Sequence, residues 1–299
     1  MSISTKIGLH IIGGASVPLG RPAVVKLVDP SSGYVAQVRQ QVGPDTLIVV
    51  RWTQAEQHLS EPLESARGWC YYHGDQIVQM MDYGPIAFEG YNEVADQQAA
   101  EYCRFEVERI EILHSWGASA VVGNFSVGTP DLPTWAAYKP MLNAMGPGDY
   151  VGLHEYWADW ESLHNIYHVR RFLRVPELAG KRIIITECGR DVVEGRGQPG
   201  WKRSDMHWGS YFAELAELGR LYDACPQVVG ACVFTVGGFG WGDFDVSEIW
   251  PHVVAGYAVP EPVEPDDGEP PVNGFEFVGQ ETYPAGNEWI RVTVERRDR

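Results

Sequence analysis

Two glutamates stand where short apolar runs stop. One run ends Phe88-Glu-Gly-Tyr-Asn-Glu-Val, placing Asn92 and Glu93 just beyond it, and another ends Ile185-Thr-Glu-Cys-Gly-Arg-Asp, placing Glu187. Between them a run ends Gly152-Leu-His-Glu-Tyr-Trp, carrying His154, Tyr156 and Trp157, and an earlier one ends Val50-Arg-Trp, carrying Arg51 and Trp52. Two carboxyl groups on separate elements are what cleavage of a glycosidic bond requires, one protonating the leaving oxygen while the other attacks or directs water. Each glutamate also has a structural reading. Glu93 could open a helix, where acids are favoured, and Glu187 could pair with Arg190 or Arg51. The two together, with His-x-Tyr between them, are the more specific signal.

Apolar runs rich in β-branched residues must position these groups. They recur at Ile7 to Ile12, Ala23 to Val28, Thr46 to Val50, Ile86 to Phe88, Ser119 to Val122, Tyr150 to Leu153, Arg182 to Thr186 and Val228 to Phe234. Continuous apolarity is the mark of a parallel strand covered on both faces. Helical periodicity fills most gaps, at Ser32 to Val42, Asp96 to Trp116, Ser162 to Leu178, Ser204 to Ala224 and Ser247 to Tyr257. Only Gly13 to Pro22 separates the first two strands, so the first helix is short, distorted or missing. Eight strands alternating with helices predict an α/β fold, a (β/α)₈ TIM barrel over residues 1–258 ahead of an open doubly wound sheet. In such a barrel the site lies at the C-terminal ends of the strands. Residues 259–272, Pro- and acid-rich, then read as a linker, and residues 273–299 as a short β-hairpin-like extension with strand-like pieces at 275–278 and 289–294.

Composition narrows the partners. The net charge of −17 argues against nucleic acid or an anionic membrane surface. An aromatic share of 12%, with eleven tryptophans, suits a neutral carbohydrate substrate, since flat rings pack against the C–H faces of sugars. No run reaches the ~18 apolar residues that span a bilayer. The start, Met1-Ser-Ile-Ser-Thr-Lys, has no apolar h-region, so no signal peptide is visible and a cytoplasmic location is the default expectation. Five cysteines, odd in number and without C-x-x-C spacing, read as buried thiols, with no metal or cofactor expected.

With Asn92-Glu93 ending strand four, His154-Glu-Tyr156 on strand six and Glu187 ending strand seven, the chain resembles clan A of the glycoside hydrolases, which includes families 5 and 39. The resemblance implies a retaining glycosidase with Glu93 as acid/base and Glu187 as nucleophile. It implies further that Tyr156 hydrogen-bonds the nucleophile and that Asn92 donates to the sugar 2-hydroxyl. For its role Glu93 needs a raised pKa, which the charge of Glu187 would help supply. Many clan members end strand eight with a tryptophan under the sugar. Here Ala231-Cys-Val-Phe-Thr-Val-Gly-Gly offers Phe234, or Trp241 folding back from the loop. Arg51, Trp52, His154 and Trp157 complete the expected substrate-binding set, while His10 reads as interior. The segments Gln54 to Gly84 and Arg190 to Lys202 are the expected cleft walls. Three rivals stand beside this reading. A sugar-binding barrel without catalysis would keep the site but no activity. A metal-dependent hydrolase would need more histidine ligands than Gly8-Leu-His-Ile supplies. A lysozyme-like glycosidase would carry Asp-x-Glu at a strand end.

Overall fold

The structure, a computed structural model, describes residues 2–54, 56–204, 206–257, 280–285 and 288–293. Eight parallel strands close into a barrel in sequence order. They are β1 (Ile7–Ile12), β2 (Val24–Val28), β3 (Leu47–Arg51), β4 (Ile86–Glu89), β5 (Ser119–Phe125), β6 (Tyr150–Trp157), β7 (Ile183–Arg190) and β8 (Val228–Gly237). β8 returns to β1 through Ile7–Ala231 and Leu9–Val233 pairs. The expected (β/α)₈ barrel is therefore what the chain forms.

Strand side chains alternate between the two faces, and here the alternation sorts two cores. Val24, Leu47, Val49, Ala87, Val121, Tyr150, Ile184 and Cys232 cluster together inside the barrel. Val25, Leu27, Ile48, Val50, Phe88 and Val122 join the larger cluster formed with the helices. Two residues further along, the inner face changes character: Val24 is followed by Lys26, Val49 by Arg51, Ala87 by Glu89 and Cys232 by Phe234. β7 carries an extra residue relative to β6, so that Leu153 pairs with Ile185 but His154 with Glu187. Such a bulge re-aims the side chains beyond it, and it sets Glu187 beside His154.

The covering helices are α1 (Ser32–Val42), α2 (Pro62–Met81), α3 (Ala99–Ser115), α4 (Lys139–Ala144), α5 (Trp160–His164), α6 (Trp208–Asp223) and α7 (Trp250–Gly256). No helix lies between β1 and β2. Two expectations are corrected. Gln54 to Gly84, expected to wall the cleft, is mostly spent on covering the barrel, because Pro62 opens a twenty-residue helix whose Ala66, Trp69, Cys70, Ile77 and Met80 face the core. Ser162 to Leu178 is not one helix: α5 stops at His164, Arg170 takes a left-handed conformation (φ 68°), and 3₁₀ turns follow at Arg171–Arg174 and Pro176–Leu178. Pro176 cannot sit within a helix interior without losing a hydrogen bond.

The two ends of the barrel meet. Ile3 N–H donates to Gly256 C=O at 2.7 Å, and Tyr257 O–H donates to Ile7 C=O at 2.8 Å. As a separate unit, β9 (Gln280–Ala285) and β10 (Glu288–Thr293) form an antiparallel pair. The linker expected at 259–272 and the strand-like piece at 275–278 lie outside the described residues. Among the described residues no helix is long and apolar enough to cross a membrane.

Candidate active site

The end of β4 is held from behind. Arg109 of α3, buried with Glu106 at 2.7 Å, donates to the carbonyls of Phe88 (3.1 Å) and Val121 (2.9 Å). Gly90 is needed there, because a Cβ at this position would lie 2.5 Å from the Glu106 carboxylate. The chain then turns so that Glu93 takes φ 53°, with its N–H donating to Asn124 C=O at 3.0 Å. Asn124 itself is left-handed (φ 47°) and donates through Nδ2 to Tyr91 C=O at 3.4 Å. A left-handed glutamate is a strained placement kept by its surroundings. It aims the Glu93 carboxyl over the barrel mouth.

Glu187 sits deeper, and its two oxygens have different company. Oε1 is 3.1 Å from Lys26 Nζ, 3.2 Å from Arg51 Nη1 and 3.7 Å from His10 Nε2. Oε2 accepts from Tyr156 O–H at 3.0 Å and lies 3.7 Å from His154 Nδ1. That same His154 Nδ1 is 2.7 Å from Glu93 Oε1. One imidazole thus bridges both carboxylates. Burial pushes the Glu187 carboxyl up, but His154 first, then Lys26 and Arg51, outweigh it and hold it well below the usual carboxylate range. The group is an ionised, clamped carboxylate.

Glu93 departs from expectation. Burial raises its pKa, yet the hydrogen bond and charge of His154 more than offset this and leave it lowered, with Glu187 only a lesser opposing influence. The raised value anticipated from the like charge of Glu187 does not occur in the free protein. An ionised Glu93 accepts from His154 Nδ1, so the nitrogen is the donor in that contact.

Around the pair opens a cleft of about 440 Å³ lined by His10, Arg51, Asn92, Glu93, Tyr156, Glu187, Asp191, Phe234, Trp241 and Phe244, among others. Its aromatic wall is an edge-on stack: Trp241 lies 5.1 Å from Phe234 and 5.7 Å from Phe244, and Trp241 is 43% exposed. Of the residues expected to bind substrate, Arg51, Asn92, Tyr156, Phe234 and Trp241 line this cleft, and His154 lies behind it. Trp52 and Trp157 do not. Trp52 follows the inward Arg51, so it points outward and stacks on His73 at 4.2 Å. Trp157 follows the inward Tyr156, is fully buried, and donates to Glu214 of α6 at 2.9 Å. Both corrections come from the alternation of a strand. The Arg190 to Lys202 segment contributes Asp191 to the cleft, whereas most of Gln54 to Gly84 is helix.

Three site residues were not anticipated as such. His10 donates through Nδ1 to Thr235 Oγ1 (2.8 Å), because the Thr235 hydroxyl proton is already committed to His10 C=O (3.1 Å), which leaves Nε2 as an acceptor at the cleft. Burial and Lys26 hold the His10 pKa well down, so the ring is neutral. Lys26 and Glu89 are the other two. Their signal was a charge inside an otherwise apolar run, Val24-Val-Lys-Leu-Val and Ile86-Ala-Phe-Glu.

Taken together, the fold and site define a (β/α)₈ barrel with two opposed carboxylates at its mouth. No family model and no curated protein sequence matches the chain. Solved structures match it in fold. The catalytic domain of a Bacillus sp. JAMB-750 GH26 endo-β-1,4-mannanase aligns over 86% of this chain and 85% of its own, at 12% identity and a TM-score of 0.51. A β-mannanase from Streptomyces thermolilacinus (76% and 74%, 15% identity, TM-score 0.47) and a GH128 exo-β-1,3-glucanase from Aureobasidium namibiae (84% and 93%, 13% identity, TM-score 0.45) are also similar.

Proposed function

We propose that the chain is a retaining glycoside hydrolase acting on a β-linked oligo- or polysaccharide, with Glu187 as nucleophile and Glu93 as acid/base. The observation that carries this is the shared histidine. Because His154 Nδ1 is 2.7 Å from one carboxylate and 3.7 Å from the other, their nearest oxygens are no more than about 6.4 Å apart, at the short edge of the inverting range or below it. Inverting enzymes leave roughly 6.5–9.5 Å for a water between the two groups, and retaining ones about 5–5.5 Å. The likeness in fold to an endo-β-1,4-mannanase directs the first trials to β-linked substrates.

In this reading Glu187 attacks the anomeric carbon while the bond to the leaving oxygen breaks, and Glu93 gives that oxygen its proton. Glu93 then takes a proton from water, which attacks the anomeric carbon and frees Glu187. Tyr156 and Arg51 hold the nucleophile in line, Asn92 donates to the sugar 2-hydroxyl, and Phe234 with Trp241 supplies the apolar floor. Since Glu93 must be protonated for the first step and its carboxyl lies low in the free protein, the working pH falls on the acid side of neutrality.

The test is release of aryl groups from paired α- and β-glycosides by wild type, Glu187→Ala and Glu93→Ala. Cleavage of a β-glycoside, abolished in Glu187→Ala and partly rescued by azide with inverted product, is the expected outcome. Activity surviving in both variants overturns the assignment.

A further inference from the structure

Below the cleft, next to the apolar inner layer of the barrel, lies a buried ion pair. Lys26 and Glu89 are both fully shielded from solvent, and Lys26 Nζ lies 2.9 Å from Glu89 Oε2 and 3.1 Å from Glu187 Oε1. Apart from this lysine, neither Glu89 oxygen has a hydrogen-bond partner among the described residues. A buried ion pair is seldom a gain in stability over apolar residues of the same size, and the neighbouring inner positions Val24, Val49, Ala87 and Cys232 are apolar. The pair therefore asks for a role other than packing, and its open end points at Glu187.

We propose that Lys26 is a positioning residue for the nucleophile and that Glu89 is its anchor, an inference that rests on Glu187 being the nucleophile. Arg51 reaches the same oxygen from the solvent side, where its charge is partly screened, whereas Lys26 acts from the dry interior, where a charge is felt more strongly. When Glu187 becomes an ester its negative charge is gone. Lys26 would then be a lone buried cation, and Glu89 keeps it paired through the intermediate. Glu89 also divides the pull of Lys26, so that Glu187 stays ionised without being bound too tightly to attack. The groups facing Glu187 are His10 from β1, Lys26 from β2, Arg51 from β3, Glu89 and Glu93 from β4 and its loop, and His154 and Tyr156 from β6. Those facing Lys26 are Glu89, Glu187, His10 and the Cys232 thiol.

The experiment follows the Glu187 carboxyl directly, by titrating ¹³Cδ-labelled glutamate in the full chain, with Glu187→Gln to assign the resonance. Lys26→Met is expected to raise the Glu187 titration by more than about one pH unit, the effect of losing an opposite charge at this distance. Glu89→Gln is expected to shift it the other way. The double variant Lys26→Met/Glu89→Gln leaves no unpaired charge in that layer, so comparing it with Glu89→Gln isolates the lysine even if Lys26→Met alone does not fold. In parallel, kcat/KM of Lys26→Met should lose its acid limb at correspondingly higher pH, with KM changed less than kcat. If Glu187 titrates at the same pH with and without Lys26 in the Glu89→Gln background, the proposal is overturned. A wild type that cleaves no glycoside while the titration still moves counts instead against the enzymatic reading.

Discussion

Replacing His154 by leucine tests the electrostatics of the site at its centre. The imidazole makes one 2.7 Å contact to Glu93, in which an ionised carboxylate accepts. A hydrogen bond of this charged kind is worth roughly 1.5–3 kcal/mol net. The Glu93 side chain is 40% exposed, so solvent screening brings the figure to the lower bound. At 1.36 kcal/mol per pKa unit, that is a rise of about one unit in Glu93. In the proposed mechanism the acid form of Glu93 does the first step, so activity should be lost as pH rises through its pKa, and a higher pKa should move that limb upward. Glu187 keeps Lys26, Arg51 and Tyr156 but loses the foremost of the charges that hold it down, so the acid limb should move up as well. The assay is kcat/KM against pH on an unactivated β-linked oligosaccharide, whose leaving group needs the proton. A basic limb moved up by about one unit, with lower kcat, is the expected result. A folded His154→Leu enzyme with its basic limb unmoved refutes the argument, because Glu93 would then not be set by this histidine.

Other expectations concern the frame. Glu155, buried behind the site and accepting from Tyr222 O–H (2.6 Å) and Arg170 N–H (2.8 Å), has its pKa pushed up to about 7 by burial. A raised folded-state pKa gives stability that is full below the unfolded value and lost as pH rises toward 7. Urea titrations should show a decline across that window, flattened in Glu155→Gln. Arg109→Met strands Glu106 without its partner and should cost about 3–5 kcal/mol by denaturant unfolding. Trp157→Phe should lower stability by about 1 kcal/mol for its lost bond to Glu214 and leave KM unchanged. Trp241→Ala should do the reverse, raising KM for long substrates with stability nearly unaltered.

The eight strands were legible because each is an apolar run covered on both faces, and Glu93 and Glu187 because they stand where such runs end. Lys26 and Glu89 were not: Lys26 stands in the middle of its apolar run, and Glu89, the last residue of β4, was passed over for Glu93 beyond it. The same search misassigned Trp52 and Trp157: they have the right height but the wrong parity, and only counting in twos from Arg51 and Tyr156 turns them outward. The low Glu93 carboxyl was hidden for another reason. The sequence shows that His154 and Glu93 belong to one rim, but not that a left-handed turn at Glu93 brings them to 2.7 Å. Where helical periodicity ran through Asn165, Arg170 and Pro176, the backbone had local reasons to break that hydrophobic spacing could not report.

The meeting of Ile3 with Gly256 makes the barrel a ring with a seam rather than a line with two ends. The seam lies at the N-terminal ends of the strands, opposite the cleft. A short peptide joining residues 257 and 2 would close it, and new ends could be opened in another connection at that same end, such as Gly43 to Thr46 between α1 and β3, without disturbing a strand or a catalytic group. A permuted chain of this kind would separate what holds the barrel together from the order in which it is synthesised. Fusion partners attached at the seam would likewise sit away from the mouth of the cleft.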